Sequence, residues 1–263
     1  MTMKKANEQR FLDSNGRLEQ WPSHRDGKLL VLAYLASKFD PDTIYTEKEV
    51  NDVLQQWHTF SDWPLLRREL FDRAFIDRDR DGTNYRLREI PTSLPDLVLV
   101  MPSVVRDAPI AVGWLAGAAG RETLRLMGNT DDHNKPSTLE EEQERIRDFI
   151  TDTEHTTWTM LYKGIPVGAV WVDRKETKYL KAPSVHIMIG DPSVRGQGIG
   201  EATIKTVTHL MKEEGRYEKI HSRYIASNQG SMKLLAKLGF SNDGNTNKDE
   251  DGLEWQNVIL DLN

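Results

Sequence analysis

Apolar positions change their period along this chain, and the changes mark its elements. Lys28 to Phe39 is an almost unbroken apolar run, long enough for a buried helix. Thr46-Glu47-Lys48-Glu49 has the form of a capping box and opens a second helix, with Val50, Val53, Leu54 and Trp57 at helical spacing. Ser61 or Asp62 can cap a third helix, which carries Leu65, Leu66, Arg67, Arg68, Leu70 and Phe71. Ala74 to Arg88 then reads as a hairpin turning at Asp81-Gly82. Three helices and a hairpin give the order of a winged helix-turn-helix.

The pattern breaks at Glu89-Ile90-Pro91-Thr92-Ser93-Leu94-Pro95, where two prolines resist helix and central strand alike. Residues 1–90 are therefore expected to form an accessory domain and 91–96 a linker, with 97–263 a second domain. In that second part Leu97 to Met101 suits a buried strand, and Ala108 to Met127 one helix or two short ones. Thr138-Leu139-Glu140-Glu141 is another capping box, whose helix turns Leu139, Ile146, Phe149 and Ile150 to one side and acids outward. Thr157 to Leu161 and Pro166 to Asp173 form a hairpin joined at Lys163-Gly164. Ser184 to Ile189 alternates, with Val185, Ile187 and Ile189 on one face and Ser184, His186 and Met188 on the other. A helix over 201–214, a strand over 219–225, a helix over 229–238 and a last strand over 253–260 complete a mixed α/β fold around one sheet.

Between the alternating strand and the helix that follows lies Val194-Arg195-Gly196-Gln197-Gly198-Ile199-Gly200. Three glycines at every second position let backbone approach a ligand and turn N–H groups toward it. A helix N-terminus adds unpaired donors and a positive dipole end, so the segment suits a phosphate. Arg195 adds formal charge at the same place.

Composition narrows the function classes. The chain has no cysteine, which excludes disulfides, thiolate metal sites and a cysteine nucleophile, and suits a cytoplasmic setting. No metal is expected. No apolar run reaches membrane-spanning length, and residues 1–10 lack the apolar core of a secretory leader. The net charge of −6 makes a non-specific nucleic-acid binder a poor reading. Residues 1–90 hold 15 Lys and Arg against 16 Asp and Glu, and the wing arginines Arg78, Arg80 and Arg86 alternate with Asp77, Asp79 and Asp81. That balance makes DNA contact, through Arg67 and Arg68 of the third helix and the wing arginines, the less favoured role of the first domain beside packing, dimerisation or regulation.

Two resemblances follow. From about Arg10 to Arg88, the motifs Phe11-Leu12-Asp13, Gly16-Arg17-Leu18, Tyr45 to Asn51, Leu66 to Leu70, and Asp81-Gly82 before Tyr85 resemble a bacterial domain of unknown function. From Asp96 to Leu262 the chain resembles the GNAT superfamily of acyl-CoA N-acyltransferases, most closely its RimJ/RimL-type branch. Pro192 to Gly200 matches that superfamily's pyrophosphate loop. Asn228-Gln229-Gly230-Ser231, with Leu234, Leu235, Lys237 and Leu238-Gly239-Phe240 after it, matches its second cofactor motif.

The resemblance implies acetyl-CoA as co-substrate and direct transfer of its acetyl group to an amine. It places Val194, Arg195, Gly196, Gln197, Gly198, Ile199 and Gly200 on the pyrophosphate, Ile187 and Ile189 beside the pantetheine, and Asn228 and Ser231 nearby. It also implies that strands 184–189 and 219–225 splay apart. The position where many relatives carry a general-acid tyrosine, seven residues after the asparagine, is Leu235 here. Tyr224 or Ser231 would then donate, or the thiolate leaves unassisted. His186 is the candidate base, since a histidine titrates near neutrality; Asp191 and Asp173 are weaker candidates. Acids at 140–154 and 243–251 suggest a small cationic acceptor such as an aminoglycoside or polyamine. The competing readings are an acyl-CoA-responsive DNA-binding regulator, an acetyltransferase acting on protein N-termini or lysines, and a structural acyl-CoA binder. A homodimer is compatible with all of them.

Overall fold

A computed structural model describes residues 7–41, 43–129 and 135–263. Residues 1–6, 42 and 130–134 lie outside the described residues. The chain folds as two compact units. One comprises the residues up to Glu89 together with 100–108 and 143–151; the other comprises 90–99, 109–142 and 152–263.

In the first unit the order is α1 (Arg25–Ala36), β1 (Tyr45–Thr46), α2 (Glu47–Gln56), α3 (Trp63–Asp72), β2 (Ile76–Arg78) and β3 (Asn84–Leu87). The strands pair in the order β1-β3-β2, as the wing of a winged helix does. Thr46 caps α2 through a complete capping box with Glu49. Asp62, rather than Ser61, caps α3 by accepting from the Leu65 N–H at 3.2 Å. The two-residue strand β1 has no periodicity of its own and escapes a pattern reading; the ladder to Asn84 and Tyr85 creates it.

The core of this unit is built on Leu18, Leu30, Leu32, Leu35, Leu54, Leu66 and Leu70, all fully buried. Val104, Ala108, Ile146 and Ile150 belong to the same core. This is why 100–108 and 143–151 pack with the first unit although they follow the proline-rich break in sequence. Charge adds to the tie. Arg147 donates from Nε and Nη2 to the two Glu8 carboxylate oxygens at 2.8 and 2.9 Å, and the pair is nearly closed to solvent.

The second unit is built on an eight-stranded sheet ordered β10-β11-β9-β8-β7-β6-β5-β4. Its strands are β4 (Glu89–Pro91), β5 (Leu97–Val100), β6 (His155–Tyr162), β7 (Ile165–Asp173), β8 (Ser184–Ile189), β9 (Lys219–Ile225), β10 (Ser241–Lys248) and β11 (Glu254–Asp261). The helices that follow along the chain are α4 (Val104–Trp114), which begins in the first unit, α5 (Gly117–Leu126), α6 (Leu139–Thr151), most of which belongs to the first unit, α7 (Ile199–Glu213) and α8 (Gln229–Lys237). The stretch expected as one helix or two is two, α4 and α5.

Several expectations need revision. Glu89–Pro91, where the first domain was expected to end and the linker 91–96 to begin, is a strand, and its position at the sheet edge tolerates a proline. The acidic segment 243–251 lies largely in β10, the opposite edge strand, where mostly exposed polar residues hide the strand from a period-2 reading. On α6, Leu139 is exposed and Glu142 is buried, the reverse of the expected faces. Among the described residues no helix is long and apolar enough to cross a membrane.

Replacing Arg147 with Met strands the Glu8 carboxylate in the core. Chemical denaturation is expected to register a loss of about 3 kcal/mol. The double variant Glu8→Leu/Arg147→Met is expected to recover most of that loss, because no buried charge is then left alone.

Candidate functional site

The centre of the sheet does not close. β8 and β9 run parallel and pair at one register position, Ser184 opposite His221. The main chain adds one bond just before it, from the His221 N–H to the Pro183 carbonyl at 2.8 Å. Beyond it the Ser222 hydroxyl donates to the Val185 carbonyl at 2.8 Å, where the ladder would otherwise have supplied a backbone donor. The rest of the two strands share no register pairs, so a gap opens in the sheet.

A cavity of about 400 Å³ lies at this gap, lined by Ile187, Met188, Ile189, Arg195, Gly196, Gly198, Ile199, Gly200, Asn228, Ser231 and Leu234 among others. The glycine segment forms its floor. Gly196 and Gly198 hold φ of +78° and +87°, a region that side chains resist. Gly200 serves a different need, since a methyl group there would come within 3.0 Å of Leu234. Gly198 precedes α7 and offers no side chain to cap it. The N–H groups of Gly196, Gln197, Ile199 and Gly200 accordingly have no acceptor among the described residues. Donors left open at a helix N-terminus fit an oxyanion such as a pyrophosphate.

Other residues at the loop are engaged. The Arg195 N–H already donates to Pro192. Its guanidinium turns back to the Ile189 carbonyl at 2.8 Å and the Thr123 hydroxyl at 2.6 Å, so Arg195 ties the loop to β8 and α5. The Gln197 amide donates to the Ser193 carbonyl at 3.1 Å. Val194 packs against the core rather than the cavity. Asp191 accepts from the Ser193 N–H and hydroxyl, a local turn. Hydrogen bonds from Lys205 and Lys237 hold the Glu201 carboxyl down to about 2, which keeps its charge countered beside the loop. The Asn228 carboxamide oxygen accepts from the Ser231 N–H at 3.0 Å and caps α8.

A second cavity of about 320 Å³ adjoins the first and shares Ile187, Asn228, Ser231 and Leu234 with it. It is lined further by Trp171, Asp173, His186, Arg223, Tyr224, Leu235 and Trp255. Pleat and register sort these residues by face. His186 lies opposite Trp171 on β7, and Ser184 lies opposite both Asp173 and His221. His186, Trp171, Asp173 and Arg223 therefore share one face of the sheet. Ile187 and Tyr224 point to the other, where both pack on the core that includes α7.

The His186 ring stacks on Trp171 with centroids 5.4 Å apart. Its Nε2 lies 3.1 Å from the Asp173 carboxylate and 3.1 Å from the Ser184 hydroxyl. Asp173 also sits 3.3 Å from His155 Nε2, and Asp152 lies 2.9 Å from His155 Nδ1. With Nε2 protonated and aimed at Asp173, His186 keeps a lone pair on Nδ1, which has no partner among the described residues. Trp171, Arg223 and Trp255 are parts of the site that pattern reading missed. The available signal was a charged residue and indoles within strands otherwise fit for burial.

The arginines of the first unit are largely paired. Arg67 bonds Asn51 and lies 3.0 Å from Glu47, Arg88 lies 3.4 Å from Asp77, and Arg86 lies 3.9 Å from Asp79. Arg78 covers the Phe71 ring at 4.3 Å.

Gly198→Ala is expected to lower stability by about 1 kcal/mol from strain alone and to abolish measurable coenzyme A binding by calorimetry. Gly164→Ala, at a hairpin turn with φ of +75° and open space around it, is expected to cost the same stability and leave that binding unchanged.

Comparison with known proteins agrees with this geometry. Residues 17–87 match a model described as "Uncharacterized protein conserved in bacteria (DUF2087)". Residues 106–241 match the acetyltransferase (GNAT) domain. Among solved structures, the acetyltransferase of Salmonella typhimurium that modifies the N-terminal serine of ribosomal protein L7/L12 superposes with a TM-score of 0.54 at 14% identity, over 67% of this chain and 100% of that one. The microcin C7 self-immunity acetyltransferase MccE gives 0.52 at 13% identity, over 64% and 93%. The aminoglycoside acetyltransferase AAC(6')-Ib gives 0.50 at 17% identity, over 63% and 94%. At these identities the likeness is one of fold. The family match spans just over half of the chain, and the protein belongs to the GNAT acetyltransferase family.

Proposed function

We propose that the protein transfers the acetyl group of acetyl-CoA to a primary amine of a small molecule, with His186 as general base. The observation that carries this is the placement of the Asp173–His186 pair in a cavity that adjoins the open N–H groups of the glycine loop, at the gap between β8 and β9. That MccE was solved with acetyl-CoA, and AAC(6')-Ib with coenzyme A, supports the choice of co-substrate.

When bound, acetyl-CoA supplies an acetyl group on a thioester. The loop from Gly196 to Gly200 holds its pyrophosphate through backbone donors, and β8 presents unpaired backbone to the pantetheine. Only a neutral amine is nucleophilic, and alkyl amines with pKa near 10.4 arrive mostly protonated. The Nδ1 lone pair of His186 takes the proton while Asp173 orients the ring and stabilises the imidazolium. The neutral amine nitrogen then forms the C–N bond as the C–S bond breaks; the sulfur leaves with its electron pair, and the nitrogen's surplus proton passes to solvent to give the neutral amide. Tyr224 reaches the gap from the other face and can return a proton to that sulfur. A thiol with pKa near 8.5 is a fair leaving group, so this assistance is secondary.

Some of the acids expected to draw a small cationic acceptor are engaged within the second unit. Glu141 accepts from the Thr138 N–H, Glu154 pairs with Lys175, Glu250 with Lys178, and Asp249 with the Trp255 indole.

The test is free-thiol release from acetyl-CoA against a panel of amines, each with an acceptor-free blank. Saturable turnover with one class supports the reading; intact acetyl-CoA binding without turnover overturns it. His186→Gln is expected to lower kcat by about 10²-fold or more, Asp173→Asn by a smaller factor, and Tyr224→Phe by no more than about tenfold. Steady-state kinetics on variants with unchanged melting temperatures checks all three.

A further inference from the structure

The second cavity contains a charge that its surroundings do not answer. Arg223 projects from β9 on the face that also carries His186, Trp171 and Asp173. Its guanidinium covers the Trp255 ring at 4.2 Å and the Tyr179 ring at 5.3 Å. Ring faces satisfy the flat surface of a guanidinium but not its five in-plane N–H donors. Nη1 is buried and has no hydrogen-bond partner among the described residues, and no described carboxylate lies within 4.0 Å of the side chain.

The two acids that influence Arg223 are committed elsewhere. Asp249 accepts from the Trp255 indole at 2.8 Å, the Leu253 N–H at 2.9 Å and the Asp251 N–H at 3.1 Å. Asp173 faces His186 and His155. Burial pushes the guanidinium's pKa down from its ordinary value, a direction that agrees with a cation short of compensating charge. A buried polar atom left without a partner calls for an explanation, and here that atom belongs to the charged group of a half-buried side chain. Packing alone would be served as well by a neutral long side chain.

The placement supplies the explanation. Ser184 pairs with His221, and His186 and Arg223 each lie two residues further along parallel strands. They therefore lie on the same side of the sheet on either side of the gap, more than one strand spacing of about 5 Å apart, with His186 leaning to Trp171 on β7 and Arg223 to Trp255 on β11. A base and an oxyanion anchor at that separation describe a two-point grip on a short molecule. The indoles of Trp171 and Trp255 line the same cavity and can cover its apolar part.

We propose that Arg223 binds an oxyanion carried by the acceptor itself. The substrate class is then a primary amine with a carboxylate or phosphate a few bonds away, rather than a polyamine or aminoglycoside. This deepens the transfer reading given above and rests on it for the amine half of the grip. Planar bidentate pairing with an oxyanion would satisfy the donors that the protein leaves open.

The experiment uses matched acceptors in the thiol-release assay: amino acids against their carboxamides, O-phosphoethanolamine against ethanolamine, and spermidine. The full-length protein is expected to favour one oxyanion-bearing set over its neutral partner by about tenfold or more in kcat/KM, and which set wins distinguishes carboxylate from phosphate. Arg223→Gln is expected to erase that preference, mainly through KM. Arg223→Lys keeps the charge and is expected to retain part of the preference. Neither variant is expected to melt below the parent protein. A wild-type preference for neutral or polycationic amines, or a preference that survives Arg223→Gln, overturns the proposal and leaves acetyl transfer standing. So does a large fall in melting temperature with unchanged selectivity, which would mark Arg223 as structural.

Absence of turnover with every amine would instead overturn the transfer reading. Tryptophan fluorescence of the coenzyme A-loaded protein, titrated with glycine and O-phosphoethanolamine against glycinamide and ethanolamine, then decides the anion site separately. A saturable response to the anionic probes that Arg223→Gln removes upholds it, and no such response overturns it.

Discussion

A β-sheet is stable because each interior strand gives its backbone donors and acceptors to both neighbours, and here one central pair of strands declines to do so. β8 and β9 meet at a single register position and then part. Leaving backbone groups unpaired inside a protein is costly. The chain limits the cost by side-chain substitution, with the Ser222 hydroxyl taking the Val185 carbonyl. What stays open is the part of β8 that lines the first cavity. Every functional feature described above is arranged around that gap.

The gap also explains why the site has two chemically different sides. Alternation along β8 sends Ile187 and Ile189 toward the core that includes α7 and sends His186 and Met188 the other way. The first face meets the glycine loop and α8, where backbone donors dominate. The second face gathers the titratable and aromatic side chains: Asp173, His186, Arg223, Trp171 and Trp255. Pleating alone therefore separates the part of the site suited to a phosphate-bearing co-substrate from the part suited to an acceptor, with the thioester position between them.

Charges within each unit follow a common pattern. Most are answered locally: Glu201 by two lysines, Glu8 by Arg147, Arg174 by the Glu214 carboxylate in a bidentate pair. A few acids of the stretches expected to draw a cation are paired in this way, Glu154 with Lys175 and Glu250 with Lys178. Against that background Arg223 is conspicuous, because its Nη1 is buried and has no hydrogen-bond partner among the described residues.

The glycine segment, the capping boxes at Thr46 and Thr138, and strands 184–189 and 219–225 were all legible in the chain, because each depends on local backbone requirements or a short hydrophobic period. The two-residue β1, the proline-bearing β4 and the polar β10 were not, because their strand character comes from the neighbour they pair with. Nor could the chain reveal that 100–108 and 143–151 pack with the first unit, since apolar residues show that a face is buried but not against what. The same division runs through the site. The loop that suits a pyrophosphate is contiguous, so sequence alone determined it. The His186–Asp173 pair and Arg223 come from three strands, brought to one face by register and by a gap in the sheet. Only the tertiary structure decided that arrangement, because strand pairing is a long-range choice that no local pattern encodes.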